Sequence, residues 1–182
     1  MKNHYSRLKL KLQTNGALQP AAWEMIQSQI HVDLLAIGDG LVRDNNGISF
    51  LAEGVLKEYD VVRRKQPHIV HFLMQGDFFY HSTHHCKRYV KAITPSVVYS
   101  LNQHQLQLLP AVFKELRPIY DKVCENYDEQ LTQRSRLLEM VFTERIQYFK
   151  SSFAVILPYL KKKDIAQYLS ISYNYLIETW KL

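Results

Sequence analysis

The sequence has few cysteines: only Cys86 and Cys124 occur among its 182 residues. Two isolated thiols, neither of them in a CxxC pair, do not form a disulfide framework and are typical of a protein in a reducing cytoplasm. Apolar runs of the roughly 18–20 residues that span a bilayer are also absent. The N-terminal segment is basic and lacks the apolar stretch of a signal peptide. We therefore expect a cytoplasmic chain with no membrane partner.

Motifs that carry catalysis are equally scarce. The sequence has no nucleophile–base pair, glycine-rich phosphate loop or paired-carboxylate motif, so we expect no enzyme and no cofactor. One loop contains His81, His84, His85 and Cys86, residue types that bind metals. No further ligand is identifiable elsewhere, which favours an exposed polar loop over a metal site. A metal-dependent β-barrel enzyme is the weakest of the alternatives.

The chain does have a globular composition and an excess of positive charge. Hydrophobic residues make up 47% and charged residues 22%, and the net charge is +6. Residues 130–182 contain eight basic residues against four acidic ones. Such an excess favours association with phosphate but does not by itself give sequence specificity. We consider nucleic acid the leading partner class, with an ordinary solvated basic surface as the alternative.

Two regions of secondary structure are predicted, the first of them rich in strands. Residues 17–29 are expected to form a short helix. From about residue 30 to 101, short runs of Val, Ile, Phe and Tyr alternate with turn residues, and Asn46-Gly47 is typical of a tight turn. Regular short strands with such turns indicate an antiparallel sandwich or barrel.

The second region is helical. Residues 102–109 are expected to form a short helix that ends before Pro110, and Pro118 suits the first turn of a long helix over 118–141. Within that helix, residues at alternating spacings of four and three form one stripe. The stripe either packs on the chain's own barrel or forms a homodimer seam, and Arg134 within it needs a partner. The seam residues are Tyr120, Cys124, Tyr127, Leu131, Leu138 and Val141.

The last 40 residues have a helix-turn-helix pattern. Thr143 is a candidate N-cap for a helix that follows it, and Asp164 can cap or charge the start of the next one. Ser170-Ile171 forms a short turn, after which Ser172 can cap a final helix. The predicted contacts between the two helices of the motif are Ile165, Ala166, Leu169, Ile171 and Leu176.

Several phrases of the sequence resemble the Crp/Fnr family of transcription regulators, especially a short subgroup common in Bacteroidetes-type bacteria. They are LLAIGD (34–39), FLAEG (50–54), MQGDFF (74–79), VKAITPSVVYSLNQHQL (90–106) and DIAQYLSIS (164–172). The resemblance implies an α+β chain with an N-terminal antiparallel β-roll, a cupin-like jelly roll that acts as sensor. It implies a sensor domain over 1–117, a connector and dimerisation helix over 118–141, and a helix-turn-helix domain over 142–182.

The resemblance also implies where a cyclic nucleotide would bind. In the family, a Glu holds the ribose and an Arg-Ser pair holds the phosphate, but the corresponding positions here are His81 and Cys86-Lys87. The intervening stretch is also about five residues shorter than in the binders. We therefore do not expect cyclic AMP in the usual mode, and the effector is another small molecule or none. The implied pocket consists of Gly76, Asp77, Phe78, His81, Cys86, Lys87 and Arg88.

In the family, the second helix of the motif reads bases in the major groove. Two departures occur here: Ser170 replaces a turn glycine, and Glu178 stands where an Arg is usual. The sequence also leaves no room for a wing hairpin after residue 182. The expected function is a DNA-binding transcription regulator, and the alternative is a ligand-binding or protein-interaction module that has lost specific DNA binding. The DNA-contacting residues implied are Ser172, Tyr173, Asn174, Tyr175, Glu178, Lys161, Lys162, Lys163 and Lys181.

Overall fold

A computed structural model describes residues 2–41, 47–61, 66–80 and 88–180, with side chains from Tyr5 onward. As predicted, the strands occupy one region, between residues 31 and 101, and the helices lie before and after it. The helices are α1 (Lys2–Asn15), α2 (Pro20–Gln29), α3 (Gln103–Val112), α4 (Leu116–Glu139), α5 (Phe142–Ser152), α6 (Lys162–Leu169) and α7 (Tyr173–Thr179), with a short 3₁₀ turn at Leu157–Tyr159. The strands are β1 (His31–Leu35), β2 (Ile48–Glu53), β3 (Val55–Asp60), β4 (His68–Met74), β5 (Phe78–Tyr80), β6 (Arg88–Ala92) and β7 (Ser96–Leu101).

The strands form two antiparallel sheets that face each other as a β-roll. The first sheet has the order β1-β7-β2-β5 and the second the order β4-β3-β6. Gly38, Gly54 and Gly76 all adopt positive φ at turns between strands. At Gly54 the constraint is also steric, because a Cβ there would lie 2.6 Å from the Pro95 carbonyl oxygen. The three glycines lie in the phrases LLAIGD, FLAEG and MQGDFF, which resemble the Crp/Fnr family.

Strands β2 and β4 are covered on both faces. Leu51 and Leu73 pack between the sheets, whereas Phe50 faces the N-terminal helices and Phe72 faces the C-terminal ones. A strand buried on both sides needs a nearly continuous apolar run, which is what the sequences ISFLA and HIVHFLM provide. The chain is therefore layered: helices α1 to α3, the first sheet, the second sheet, and then α5 to α7. Helix α4 runs from the first layer past the barrel to the C-terminal helices, since Tyr120 lies in the first core cluster, Tyr127 in the cluster between the sheets and Leu137 in the C-terminal cluster. None of the described helices is both long and apolar enough to cross a membrane.

One helix was not predicted, and two predictions about helices are wrong. α1 was not predicted, although Leu8 and Leu12 are buried on one side of it against β2 and α4. α3 does not stop before Pro110 but runs through it to Val112, because proline costs one backbone hydrogen bond and keeps a helical φ. Thr143 is not an N-cap, since α5 begins at Phe142 with Val141 as its N-cap residue.

Candidate nucleic-acid interface and its attachment to the barrel

Helices α6 and α7 form the predicted helix-turn-helix. α6 ends at Ser170, which is left-handed at φ 54° and ψ 44°, and the Ile171 amide donates to the Ala166 carbonyl at 3.1 Å. Ser172 then caps α7, its hydroxyl oxygen accepting from the Tyr175 amide at 3.1 Å. The turn and the Ser172 cap are thus confirmed. Asp164 does not cap α6 but lies in its first turn. There its negative charge is stabilised by the partial positive charge of the helix N-terminus.

The inner faces of the two helices pack as the spacing predicted. Ile165, Ala166, Leu169 and Leu176 are buried in one apolar cluster, and Ile171 packs against it partly buried. These contacts fix the angle between α6 and α7, so the outer face of α7 is determined by the fold.

The outer face of α7 presents most of the predicted base-reading side chains. Ser172, Tyr173, Asn174 and Glu178 are exposed. Tyr175 is different: it is half-buried and its ring packs edge-on against Phe142, with centroids 5.5 Å apart. Four of the five predicted side chains therefore lie where a partner could touch them, and Tyr175 serves mainly to pack α7 onto α5.

The predicted phosphate-contacting lysines divide into two kinds. Lys161 and Lys163 are exposed at the start of α6. Lys162 instead lies over the ring of Trp180, as does Lys150, whose ammonium also donates to the Trp180 carbonyl at 2.7 Å. Burial and the neighbouring Lys150 lower the pKa of Lys162 to about 8. Lys181 lies outside the described residues.

Two arginines of the basic C-terminal region are buried. Arg134 donates through Nε and Nη2 to the Tyr168 carbonyl, at 3.2 and 3.0 Å, and through Nη2 to His68 Nε2 at 2.8 Å. Arg145 donates to the Leu169 carbonyl at 2.7 Å. Both arginines therefore satisfy carbonyls at the C-terminus of α6, where cations are favourable. Their charge is not available at the surface. Counting charges along the sequence therefore overestimates the basic surface of the C-terminal region.

The helix-turn-helix is attached to the barrel through a shared core. The ring of Phe72 on β4 is fully buried among Phe149, Phe153 and Tyr168, at centroid distances of 6.0, 5.9 and 5.2 Å. This cluster extends across the predicted domain boundary at residue 142. No local pattern in the sequence indicates this cluster, because the contacting residues are about 80 to 100 positions apart in the chain.

Polar contacts reinforce this attachment. Gln167 of α6 accepts from the Ile69 amide at 3.3 Å and donates to the Pro67 carbonyl at 2.9 Å. Lys57 of β3 pairs with Asp164 at 2.9 Å. Burial lowers the pKa of Lys57, but its hydrogen bonds with Tyr59 and Asp164 outweigh burial and the net shift is upward. The lysine is therefore held in its charged form by α6.

The stripe predicted on α4 lies mostly against the chain's own barrel. Tyr120 and Tyr127 are buried, and the Tyr127 hydroxyl donates to Glu58 at 2.6 Å. Arg134, which was expected to need a partner, donates to the Tyr168 carbonyl at the end of α6. The other seam residues are less buried: Cys124, Leu131 and Leu138 are intermediate, and Val141 is 66% exposed beyond the end of α4. A homodimer seam over these partly exposed residues stays a prediction.

The predicted effector pocket is only partly within the described residues. Gly76 forms the turn, Asp77 accepts from the Met74 amide at 2.7 Å, and burial raises the pKa of the Asp77 carboxyl. Phe78 packs against Phe50 in the core beneath the N-terminal helices, and Arg88 begins β6. His81, Cys86 and Lys87 lie outside the described residues, as do His84, His85 and the Asn46 turn position. Over the described ranges, no group of three or more His, Cys, Asp or Glu side chains is placed to hold a metal ion.

The chain resembles known proteins in its structure. No family model and no curated protein matches the sequence. Solved structures do match: FixK2 from Bradyrhizobium japonicum has a TM-score of 0.69 at 13% identity, covering 84% of this chain and 83% of that one. A protein described as a regulator of the crp/fnr family from Eubacterium rectale has a TM-score of 0.67 at 10% identity, covering 90% and 82%. CLP, the c-di-GMP responsive global regulator of Xanthomonas campestris, has a TM-score of 0.64 at 13% identity, covering 90% of each chain. This chain has the fold of the Crp/Fnr family of regulators.

Proposed function

We propose that the chain is a DNA-binding transcription regulator of the Crp/Fnr type and not an enzyme. The observation that carries the proposal is the outer face of α7, which is exposed and largely polar while its inner face is fixed to α6. A helix presented in this way suits the major groove. The fold of the chain as a whole is that of proteins described as regulators. This likeness adds support without specifying the DNA target of this chain.

Individual side chains of α7 and α6 suit different parts of DNA. Asn174 can form the paired hydrogen bonds that adenine offers, and Glu178 can accept from a cytosine amine. Lys161 and Lys163 can neutralise phosphates at the edge of the site. We propose these four residues, with Ser172 and Tyr173, as the DNA-contacting surface of one protomer. A homodimer and a cytoplasmic location belong to the same proposal.

We propose that the sensor part does not respond to cyclic AMP in the family's usual way. The reason is chemical: at the positions implied for the ribose-binding carboxylate and the phosphate-binding arginine, the sequence has His81 and Cys86-Lys87. A lysine offers a point charge to a phosphate but not the paired hydrogen bonds of a guanidinium. The effector is then another small molecule, or the protein works without one.

The direct test is fluorescence anisotropy on DNA from upstream of the protein's own gene, against scrambled DNA, over a salt series. We expect binding that prefers the upstream fragment by about 10³-fold or more. The variant Asn174→Ala should lose about 1–3 kcal/mol on the preferred DNA and little on the scrambled DNA. Asn126→Ala is the matched control, since Asn126 is an exposed asparagine on α4. Weak and equal binding of both DNAs would refute the proposal.

The salt series also tests which charges are used. Neutralising Z phosphates gives a slope of log affinity on log salt of about −0.9Z. Lys163→Gln should flatten this slope by about one unit per protomer and weaken both DNAs alike. Lys114→Gln, at an exposed lysine far from α7 in sequence, should change neither. An unchanged slope for the Lys163 variant would mean that the start of α6 does not meet phosphate.

One observation favours a second function. Tyr173 and Ile177 are one turn apart on α7 and both are exposed. An apolar pair on the face that should read bases suits a protein partner better than a base edge. Under this alternative, wild-type protein shows no preference for the upstream fragment, and Asn174→Ala changes nothing.

A further inference from the structure

A groove lies between α3, α4 and the edge of the first sheet. Its volume is about 590 Å³, which is within the usual range of small-molecule sites. One side is mostly apolar and includes Ile48, Leu106, Pro110 and Ala111, with Gln107 as its polar member. Along α4, the side chains of Arg117, Tyr120, Asp121 and Cys124 line it. None of these residues is one of those named for the predicted effector pocket, although Tyr80, which also lines the groove, lies between Phe78 and Arg88 in the chain.

Tyr120 supplies a buried polar group at this groove. Its side chain is 8% exposed, and its hydroxyl is buried without a hydrogen-bond partner among the described residues. Burial raises the pKa of this phenol, so the hydroxyl is a neutral donor. Buried hydroxyls normally have a partner, and one without a partner in a groove wall indicates a missing acceptor.

The opposite wall carries a second polar feature. Pro110 lies inside α3 and has no amide hydrogen, so it cannot donate to the carbonyl of Leu106 one turn earlier. Both residues line the groove. The ligand therefore meets a largely apolar surface with hydrogen-bonding groups on two sides.

The described charges around the groove give no advantage to an anion. Burial, together with Asp128 and Asp121, raises the pKa of the Cys124 thiol to about 11, so the thiol is neutral. Tyr80, also in the lining, donates to both carboxylate oxygens of Asp128 at 2.8 and 2.9 Å. Among the described lining residues the charged groups are Arg117 and Asp121, with Asp128 beside them, and Arg88 acts on the Tyr80 hydroxyl as a further positive charge. Positive and negative charges are therefore balanced, and a phosphate-bearing ligand such as a nucleotide meets no net positive charge among the described residues.

We propose that this groove binds a neutral, mostly apolar small molecule with a carbonyl or similar acceptor for the Tyr120 hydroxyl. The apolar body lies against Ile48, Leu106 and Ala111, and the acceptor receives the phenolic hydrogen after a small rotation of the Tyr120 side chain, whose hydroxyl is otherwise covered. None of the groove residues belongs to α6 or α7, so dye binding can be measured separately from DNA binding, although Tyr120 and Cys124 also belong to the predicted dimer seam.

The first experiment uses Nile red, a neutral apolar dye with a carbonyl, whose fluorescence rises in apolar surroundings. Ala111→Trp fills the groove, and Val112→Trp adds the same side chain next to it on α3, at a position that does not line the groove. We expect Ala111→Trp to weaken binding by at least about tenfold through steric overlap, and Val112→Trp to leave it within about twofold. Gln107→Trp, on the same wall, repeats the test if the first variant does not fold. Equal affinity of wild type and the groove-filling variants would overturn the proposal.

The second experiment tests the hydroxyl. Tyr120→Phe keeps the ring and removes the donor, so binding should weaken by about 3–10-fold, the effect of one neutral hydrogen bond. The Tm should stay equal or rise, because a buried group without a partner has been removed. A merely structural role of the hydroxyl would lower the Tm and leave the dye affinity unchanged, and that result would refute the assignment of Tyr120.

Discussion

Arg145 joins the ends of two helices. Its side chain is 5% exposed and lies where the C-termini of α4 and α6 meet. Besides the Leu169 carbonyl of α6, it donates through Nη2 to the carbonyls of Leu138 and Met140, at 2.6 and 2.9 Å. The last carbonyls of a helix have no helical donor, so a single guanidinium satisfies groups of both helices. Arg145 thereby anchors the helix-turn-helix to the connector helix.

The change Arg145→Leu keeps much of the buried volume and removes these three hydrogen bonds. At about 1 kcal/mol of net stability each, their loss should cost about 3 kcal/mol. Breaking a buried charged contact can cost somewhat more, about 3–5 kcal/mol, when the remaining partners stay dry. Arg136→Leu is the matched control, since Arg136 is an exposed arginine of α4 paired with Glu129 at 2.9 Å. Exposed pairs contribute at most about 1 kcal/mol.

The assay is urea unfolding in a Trp23→Phe background, which leaves Trp180 as the fluorescent reporter of the C-terminal helices. At a typical urea m-value of about 2 kcal/mol per molar, the Arg145 variant should unfold at about 1.5 M less urea. The Arg136 variant should move by about 0.5 M or less. Coincident curves for the two variants would refute the argument that Arg145 caps both helices.

Three further predictions concern the turn, a buried acid and the shared core. Ser170→Gly should raise stability by about 0.5–1 kcal/mol in thermal unfolding, because glycine adopts positive φ without strain. Ser172→Ala should lower stability by about 1 kcal/mol, because it removes the cap of α7. Changes of the opposite sign would contradict the turn geometry. The raised pKa of Asp77 means that its protonated form is favoured in the fold, so its contribution to stability is present in acid and lost as the pH rises through the folded pKa. Asp77→Asn should therefore match the wild-type Tm in acid and exceed it at pH 8, and a lower Tm at pH 8 would be evidence against burial as the cause. Phe72→Ala should cost about 3–5 kcal/mol and speed amide exchange in α5 to α7, whereas unchanged exchange there would mean that the shared core does not hold the C-terminal helices.

The parts of the fold that follow local rules were predictable from the sequence. Turn glycines such as Gly54 and the apolar runs of β2 and β4 indicate a β-roll, because these signals lie within a few residues of one another. The same holds for the helix-turn-helix, whose inner contacts and Ser172 cap lie within a dozen residues. α1 was missed because its charge dominated the interpretation, although Tyr5, Leu8 and Leu12 already have helical spacing.

The attachment of the C-terminal helices was not predictable in this way. Phe72 and Phe149 are neighbours in space and far apart in sequence, and no periodicity of either segment encodes the pairing. Charge counting failed for a related reason. A count of charges treats the buried Arg145 like the exposed Lys163, because burial depends on tertiary packing and not on the local sequence. The one local hint was Arg134, a charge within an apolar stripe, which requires a buried partner.

These contacts determine how the barrel can influence α7. α6 is bound to β4 through Gln167 and to β3 through Lys57, and α7 is packed on α6 through Leu176. Turning α7 against the barrel would expose the Phe72 cluster and break the bonds of both buried arginines at once, which is costly. We therefore expect any ligand of the barrel to alter DNA affinity by moving α4 or by changing the arrangement of two protomers. In either case α7 should keep its position relative to the barrel of its own protomer. Arg134→Met, which loosens α6 without touching α7, should then weaken the ligand's effect on DNA binding more than it weakens DNA binding itself, as anisotropy with and without ligand would measure.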